Sequence, residues 1–248
     1  MNKRAWASFS REREWYKAWI EDLRRNLPGL GEIQQRLVNR RSGPAYTVQT
    51  PIVYNEALDA VTPEDDIRLI LAADNPGRRE QAEENRRYLV GPAGKLADKF
   101  FRENPGLGID FRRNVLILNK TPIHTPRTAE LAELCRLGGG IITEAASSSQ
   151  EAMARLLSAF HEALAPIPVW ITGYSEMRPG GVFETYTETL RSLYKRRPKR
   201  RTELFFYRHF SMNQFTIDLR QKTLPGESTG EALIRIGAAY RKRILENE

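Results

Sequence analysis

The feature that most constrains this chain is a short apolar segment that ends in a rigid turn. Residues 67–73 contain the run Leu-Ile-Leu-Ala-Ala, and Asp74, Asn75, Pro76 and Gly77 follow it directly. The run is too short for a helix, and Asn-Pro-Gly cannot continue a sheet ladder, so the segment is predicted to be a buried strand. In an open α/β sheet the site lies just beyond the carboxyl ends of such strands. Asp74 and Asn75 are therefore predicted to stand at the rim of a site.

Apolar strands alternate with amphipathic helices along the rest of the chain. The predicted strands are residues 67–73, 115–118, 167–172 and 204–207, and the predicted helices are residues 94–103, 128–137, 150–164, 183–194 and 229–245. Gly138-Gly139-Gly140 is predicted to end the second of these helices. The alternation predicts an α/β fold with an open, mostly parallel four-stranded sheet and helices on both faces. Residues 1–42 predict a helical N-terminal arm, and the length of the chain predicts one domain over residues 1–248.

The charge balance favours a polyanionic partner. The 248 residues carry a formal net charge of +8, and the pI is near 9.7. Six cations surround Pro198 directly before the fourth strand, namely Lys195, Arg196, Arg197, Lys199, Arg200 and Arg201. This basic run is expected to contact DNA phosphates, which gives affinity without sequence preference. A solvated basic turn is the alternative.

Several classes of site find no support in the sequence. Cys135 is the single cysteine, which excludes an internal disulfide framework, a Cys-rich zinc site and a four-cysteine iron–sulfur cluster within one chain. The longest apolar runs are far shorter than the roughly 20 residues that span a bilayer, and no hydrophobic signal segment opens the chain, so a cytoplasmic location is expected. Residues 91–95, Gly-Pro-Ala-Gly-Lys, lack the glycine spacing of a phosphate-binding loop, and Leu96 replaces its Ser or Thr.

Four strand ends together carry a more specific pattern. Residues 73–77 read Ala-Asp-Asn-Pro-Gly, residues 116–119 Leu-Ile-Leu-Asn, residues 169–173 Val-Trp-Ile-Thr-Gly, and residues 209–213 His-Phe-Ser-Met-Asn. In this order they resemble the motifs of the uracil-DNA glycosylase superfamily: Gly-Ile-Asn-Pro-Gly or Gly-Glu-x-Pro-Gly, Leu-Leu-Leu-Asn, apolar-x-x-Gly and His-Pro-Ser. The resemblance covers residues 67–215 and implies cleavage of the N-glycosidic bond of a base in DNA.

The chain resembles two branches of that superfamily at once. Asn75 stands where the mismatch-specific thymine/uracil branch has its asparagine, and Asp74 stands where the thermophile-type branch has its glutamate. Residues 87–96 also resemble the Arg-Pro-Phe-Val-Gly-x-Ala-Gly-x-Leu of the thermophile-type branch. The iron–sulfur cysteines of that branch are missing, so no iron–sulfur cluster is expected. Phe210 replaces the proline of the last motif.

The chemistry of base removal gives these residues roles. The enzyme must take the base out of the stack, read its edge and orient a water. Asp74 or Asn75 is expected to hold that water, and a neutral His209 is expected to stabilise the departing base anion. The amide of Asn119 donates and accepts, which suits a pyrimidine edge. Ser211, in the last motif, is expected to bind the base.

Aromatic and apolar residues complete the expected site. Tyr88 is expected to form an aromatic wall for the flipped base, with Phe100 or Phe101 as the fallback. Met212 or Phe215 is expected to enter the duplex as a wedge, because apolar side chains stabilise unstacked DNA. Ordinary core packing is the alternative for each of these residues.

These observations predict a monofunctional, metal-independent and cofactor-free DNA glycosylase of base-excision repair. It would act as a monomer, away from membranes, on uracil or another damaged base. A non-catalytic nucleic-acid-binding protein on the same fold, with a basic face and a degenerate pocket, is the alternative. The structural alternatives for single residues are a turn residue before proline for Asn75, a backbone partner at a loop entry for Asn119 and a hydrogen-bonded core histidine for His209. Because strand-end polar residues add little to a large core, Asp74→Ala is expected to leave the fold intact.

Overall fold

The fold is centred on an open parallel sheet. The computed structural model describes residues 1–41 and 43–246. The strands are β1 (Leu69–Ala73), β2 (Val115–Asn119), β3 (Val169–Thr172) and β4 (Leu204–Tyr207). Their order in the sheet is β2-β1-β3-β4, and every pair is parallel. The α/β prediction is confirmed, and the sheet is wholly rather than mostly parallel.

Helices connect and cover the strands. They are α1 (Lys3–Asn26), α2 (Leu30–Asn39), α3 (Pro92–Glu103), α4 (Glu130–Leu164), α5 (Glu184–Lys195), α6 (Pro198–Thr202), α7 (Gln214–Lys222) and α8 (Thr229–Arg241). Every residue of β1 and β2 is buried, so both faces of these strands are covered. In the described part of the chain, no helix has both the length and the apolar character needed to cross a membrane.

The core joins the N-terminal arm to the helices around the sheet. Phe9 of α1 stacks on Phe160 of α4, with ring centroids 4.7 Å apart. Trp170 of β3 packs on Phe101 of α3 and Phe215 of α7, at 5.4 and 5.8 Å. Aromatic pairs at such distances stabilise the fold by more than the burial of their apolar area alone. The predicted helical arm is therefore present, and it packs as part of the same core.

The structure differs from the predicted elements where glycine and proline act on the chain. The arm is two helices, because Pro28 follows the end of α1 and cannot continue it. Gly139 adopts a left-handed φ of 67°, so α4 is kinked there but resumes at once, whereas the sequence predicted an end. Pro198 occupies the first turn of α6, where its missing N–H costs nothing, so the basic run contains a short helix. The sequence analysis also missed α7.

The register of the strands sets the position of the site. Ala73 pairs with Asn119, and Thr172 pairs with Tyr207, so all four strands end at the same edge of the sheet. The loops that follow the strands consequently meet there. This is the edge at which open α/β sheets bind ligands.

Candidate active site

A cleft of about 1380 Å³ lies at the carboxyl edge of the sheet. Loops after all four strands line it, and so do residues from the segment after α2. The lining residues fall within the ranges 41–49, 73–93, 125–129, 173–176 and 208–214. Asp74, Asn75, His209, Ser211 and Met212, which the sequence predicted from separate motifs, all line this one cleft.

Asn75 presents a free acceptor to the cleft. Its Nδ2 donates to the hydroxyl of Thr125 at 2.8 Å, and it lies 3.3 Å from the carbonyl of Thr125 and 3.4 Å from that of Pro76. The Thr125 hydroxyl donates in turn to the carbonyl of Arg127, so its oxygen is an acceptor for the amide. Three acceptors around the nitrogen fix the orientation of the amide, and Oδ1 has no partner among the described residues. Oδ1 can therefore accept a hydrogen bond from a water in the cleft.

Asp74 is one half of a buried ion pair. Its Oδ1 accepts from Nζ of Lys120 at 2.5 Å, and its Oδ2 accepts from the hydroxyl of Thr128 at 3.1 Å. Lys120 is completely buried, also donates to the carbonyl of Thr172, and lies 4.8 Å from the ring centre of Phe183. Burial lowers the pKa of Lys120, and the neighbouring Asp74 opposes that shift. Asp74 thus places a fixed negative charge at the cleft, with its lone pairs largely engaged.

This pair corrects the expectation that Asp74→Ala leaves the fold intact. The variant would leave the Lys120 ammonium buried without its counter-charge. Breaking a buried pair in this way costs about 3–5 kcal/mol, a large share of a domain's stability. The sequence places Lys120 directly after Asn119, but it contains no signal for the direction of the lysine side chain.

Gly173 makes room for the carboxylate of Asp74. A Cβ at this position would lie 2.2 Å from Asp74 Oδ1, and the backbone adopts a left-handed φ of 78°. Only glycine meets both conditions without strain. The apolar-x-x-Gly pattern of the third strand is therefore explained by the approach of Asp74.

His209, in the loop after β4, presents a neutral donor to the cleft. The backbone N–H of Ser211 donates to its Nδ1 at 3.1 Å, and the Ser211 hydroxyl lies 2.8 Å from the same nitrogen. A backbone N–H can only donate, so Nδ1 is an acceptor and Nε2 carries the proton. Desolvation lowers the pKa of His209, an effect that Asp74 opposes and Lys120 reinforces. At neutral pH the ring is therefore uncharged, and Nε2–H has no partner among the described residues.

Phe210 holds the His209 loop in place. It is 1% exposed and stacks on Phe215 of α7, with ring centroids 4.2 Å apart. The residue that replaces the proline of the motif thus anchors the loop through the core. Phe215 is 2% exposed as well, which excludes it from the expected role of a wedge.

Tyr88 does not form a wall of the cleft. Its side chain is 1% exposed, its hydroxyl donates to the carbonyl of Val53 at 2.7 Å, and it accepts from Tyr16 at 2.8 Å. These bonds direct the ring into the core beneath the N-terminal arm. The fallback residues Phe100 and Phe101 also pack in the core and are absent from the cleft lining.

Leu89, the neighbour of Tyr88, is among the residues that line the cleft, and it is 3% exposed. It has a left-handed φ of 52°, and its carbonyl accepts from Arg112 at 2.8 Å. The same carbonyl would lie 1.6 Å from a Cβ at Gly94, so the close approach requires glycine there. When residues 87–91 are matched to Arg-Pro-Phe-Val-Gly, the phenylalanine falls on Leu89. The motif therefore contained the signal for Leu89.

A buried carboxylate supports the loop that carries Leu89. Glu80 is 7% exposed and accepts from the backbone N–H of Gly77 at 3.1 Å. Burial raises the pKa of Glu80 to about 7, although the N–H groups of Gly77, Leu89, Val90 and Gly91 oppose the shift. The two ends of the loop are thereby joined through a single side chain.

Asn119 lies next to the cleft floor without reaching its surface. It is 1% exposed and is in register with Ala73, which lines the cleft. Neither its Oδ1 nor its Nδ2 has a hydrogen-bond partner among the described residues. A buried polar group without a partner costs about 1–3 kcal/mol, so such an amide calls for a ligand or an ordered water.

The rim of the cleft carries a wedge-shaped side chain and unpaired cations. Met212 is 83% exposed and has a left-handed φ of 52°. Arg78, Arg79 and Arg127 are exposed, and their guanidinium groups form no ion pair within residues 1–41 and 43–246. The sequence analysis missed these three arginines because they are dispersed along two loops.

The basic run lies at the amino ends of the strands, away from the cleft. It precedes Leu204, at the amino end of β4, whereas His209 follows the carboxyl end. The strand separates the two by roughly 10 Å at about 3.3 Å per residue. Arg200 pairs with Glu203 at 3.1 Å, and Arg201 pairs with Glu246 at 3.6 Å. The basic run therefore lies at the end of β4 that is remote from His209 and the cleft.

Neither a metal-binding cluster of the described residues nor a related protein accounts for the cleft. Within the described residues, no group of three or more His, Cys, Asp or Glu side chains is arranged to hold a metal ion. Comparison with protein-family models and with curated proteins gives no match.

Proposed function

We propose that this protein is a monofunctional DNA glycosylase that removes uracil or another damaged base by direct attack of water. One observation carries the proposal: the free Oδ1 of Asn75 and the free Nε2–H of a neutral His209 line the same cleft. An acceptor for a water and a donor for an anion are the two groups that hydrolysis of an N-glycosidic bond requires.

The mechanism follows from the positions of these groups. Asn75 orients a water toward the sugar carbon, and a C–O bond forms as the C–N bond breaks. The electron pair of the C–N bond leaves with the base, whose carbonyl oxygen accepts from His209 Nε2–H. The water proton finally neutralises the base. Asp74 lines the cleft whereas its partner Lys120 is buried behind it, so the pair directs its anionic end toward the sugar, where positive charge develops.

Different residues are assigned to bind the extruded base and the DNA strand. Leu89 is among the residues that line the cleft where the extruded base would lie. The unpartnered amide of Asn119 is buried beside Ala73 in the cleft floor, and it offers a donor and an acceptor to a base edge inserted past Ala73. Met212 fills the gap that the base leaves in the stack. Arg78, Arg79 and Arg127 contact the phosphates.

The catalytic step is tested by release of free base from oligonucleotides containing uracil, hypoxanthine or mismatches. Asn75→Ala and His209→Ala should each lower the rate by about 10²–10³, the usual effect of removing one oriented group at a developing charge. Both side chains are bound only to loop atoms, so the variants should fold like the parent. Absence of base release by the parent from every substrate, with intact DNA binding, would refute the proposal and favour a non-catalytic DNA-binding protein.

The DNA face is tested by the salt dependence of binding. Arg78→Ser and Arg79→Ser should together reduce the slope of log affinity against log salt by about 2, or about 1 for each lost phosphate contact. The matched control is the pair Arg196→Ser and Lys199→Ser, two exposed cations at the opposite edge of the sheet. The control should leave the slope unchanged. Equal effects of the two pairs would contradict the assignment of this face.

A further inference from the structure

One wall of the cleft comes from outside the region that resembles the glycosylases. Residues of the segment 41–49, which follows α2, line the cleft opposite the β4 loop. Gln35 of α2 fixes this segment, since it donates to the carbonyl of Tyr46 at 3.0 Å and accepts from the N–H of Val48 at 2.9 Å. The arm therefore contributes directly to the cleft surface.

Tyr46 is held rigidly in this wall. Its hydroxyl is 2.9 Å from Nε2 of His124, and Nδ1 of that histidine is 2.7 Å from the carbonyl of Pro76. A carbonyl only accepts, so Nδ1–H donates to Pro76 and Nε2 accepts from the tyrosine. Burial lowers the pKa of His124 to about 4, which keeps this arrangement neutral in the physiological range. The ring is thereby tied to the loop that carries Asn75.

Arg78 lies over the ring of Tyr46. The guanidinium carbon is 5.1 Å from the ring centroid, within the range of a cation–π contact. Arg78 is exposed, and it forms no ion pair with a carboxylate of the described residues. Arg78 and Tyr46 both line the cleft, so an exposed planar cation and a fixed aromatic ring are available side by side to a flat ligand.

We propose that Arg78 and Tyr46 form a stacking subsite for an unpaired nucleobase that flanks the extruded one on the same strand. The inference rests on the proposed function for the identity of the strand. Arg and aromatic planes bind bases without sequence preference, because every base has a π face. The adjacent cations Arg79 and Arg127 supply contacts for the phosphates that accompany the base.

The position of the subsite fits this ligand. Tyr46 lies against His124, which follows β2, whereas Met212 follows β4. Since β2 and β4 are the two edge strands, the loops that carry His124 and Met212 leave the sheet three strand spacings apart, roughly 14 Å. A strand that crosses the cleft would meet Met212 at one end and the Arg78–Tyr46 platform at the other. The subsite therefore favours substrates with unpaired bases beside the target.

The experiment compares binding of two undamaged single-stranded probes by fluorescence anisotropy. One is an oligothymidylate, and the other is an oligomer of the same length whose sugars carry no bases. The phosphates are equal in number, so the ratio of the two affinities measures the contacts made to bases. The parent should bind the thymidylate at least about 5- to 150-fold more tightly, the effect of stacking one base. Tyr46→Ala should lower this ratio by about that factor.

Two further variants separate stacking from charge and from folding. Arg78→Lys keeps the charge and is exposed, so it should fold normally, retain the salt dependence and lose most of the ratio. Tyr46→Phe keeps the ring and should retain the ratio. An unchanged ratio in Arg78→Lys and Tyr46→Ala would overturn the subsite. Because no base is released in this assay, its outcome is independent of glycosylase activity, which the substrate panel measures separately.

Discussion

The Asp74–Lys120 pair gives a prediction that separates a buried ion pair from an ordinary strand-end contact. Lys120 is fully buried and Asp74 is 6% exposed, so neither remaining charge can recover its hydration when the other is removed. Asp74→Asn and Lys120→Met should each lower the free energy of unfolding by about 3–5 kcal/mol. The double variant replaces both charges with neutral groups of similar volume, and it should be destabilised by less than either single variant.

The measurement is a double-mutant cycle by urea denaturation at pH 7. The matched control is Lys99→Met with Glu103→Gln, a pair 3.6 Å apart whose side chains are 62% and 55% exposed. Its coupling should be about 0.5 kcal/mol or less, as for other exposed helix pairs. If the Asp74 and Lys120 substitutions each cost under about 1 kcal/mol and their effects add, the pair does not stabilise the cleft in the way argued above.

Three further outcomes are expected. As pH falls from 6.5 to 4, the depressed pKa of His124 lowers the free energy of unfolding, whereas the raised pKa of Glu80 increases it as pH falls from 7 to 4.5. Between pH 7 and 4.5, the free energy of unfolding of Glu80→Gln should therefore fall by about 3 kcal/mol relative to that of the parent, as measured by urea denaturation. Parallel pH curves for the two proteins would contradict the raised pKa of Glu80. Gly173→Ala should lower the free energy of unfolding by at least about 1–3 kcal/mol and reduce base release, and parent-like values would exclude the tight contact with Asp74. Asn119→Asp should change the base released while leaving the affinity for undamaged duplex unchanged, and an identical substrate profile would remove Asn119 from base recognition.

The sequence predicted the sheet well because each strand is a dense apolar run with a clear end. The structure confirms all four strands to within two residues, and β4 matches the predicted residues 204–207. The ends of helices were harder to predict where a local sequence signal, such as a run of glycines, competes with packing against the core. Three glycines predicted the end of a helix, and Gly139 does leave the helical conformation, but a second helical segment follows the kink directly and both segments carry buried residues.

The cleft could be predicted in part, because parallel strands bring their ends together regardless of side-chain detail. Asp74, Asn75 and His209 were placed by that rule. The rule does not predict the direction of side chains. Leu89 has a left-handed φ, so Leu89 lines the cleft and its neighbour Tyr88, the expected wall residue, packs in the core. The buried path of the Lys120 side chain and the stacking of Arg78 on Tyr46 both join segments that are distant in sequence.

The segment after each strand contributes to the lining of the cleft: Asp74 follows β1, Thr125 follows β2, Gly173 follows β3 and His209 follows β4. Asp74 and His209 are separated by more than half of the chain. Contacts of such long sequence separation form slowly, because loop closure precedes their stabilisation. During refolding, the site should therefore appear only when the last strand has joined the sheet. Recovery of a functional cleft is thus a kinetic marker for completion of the whole sheet, and no fragment that ends before β4 can contain it.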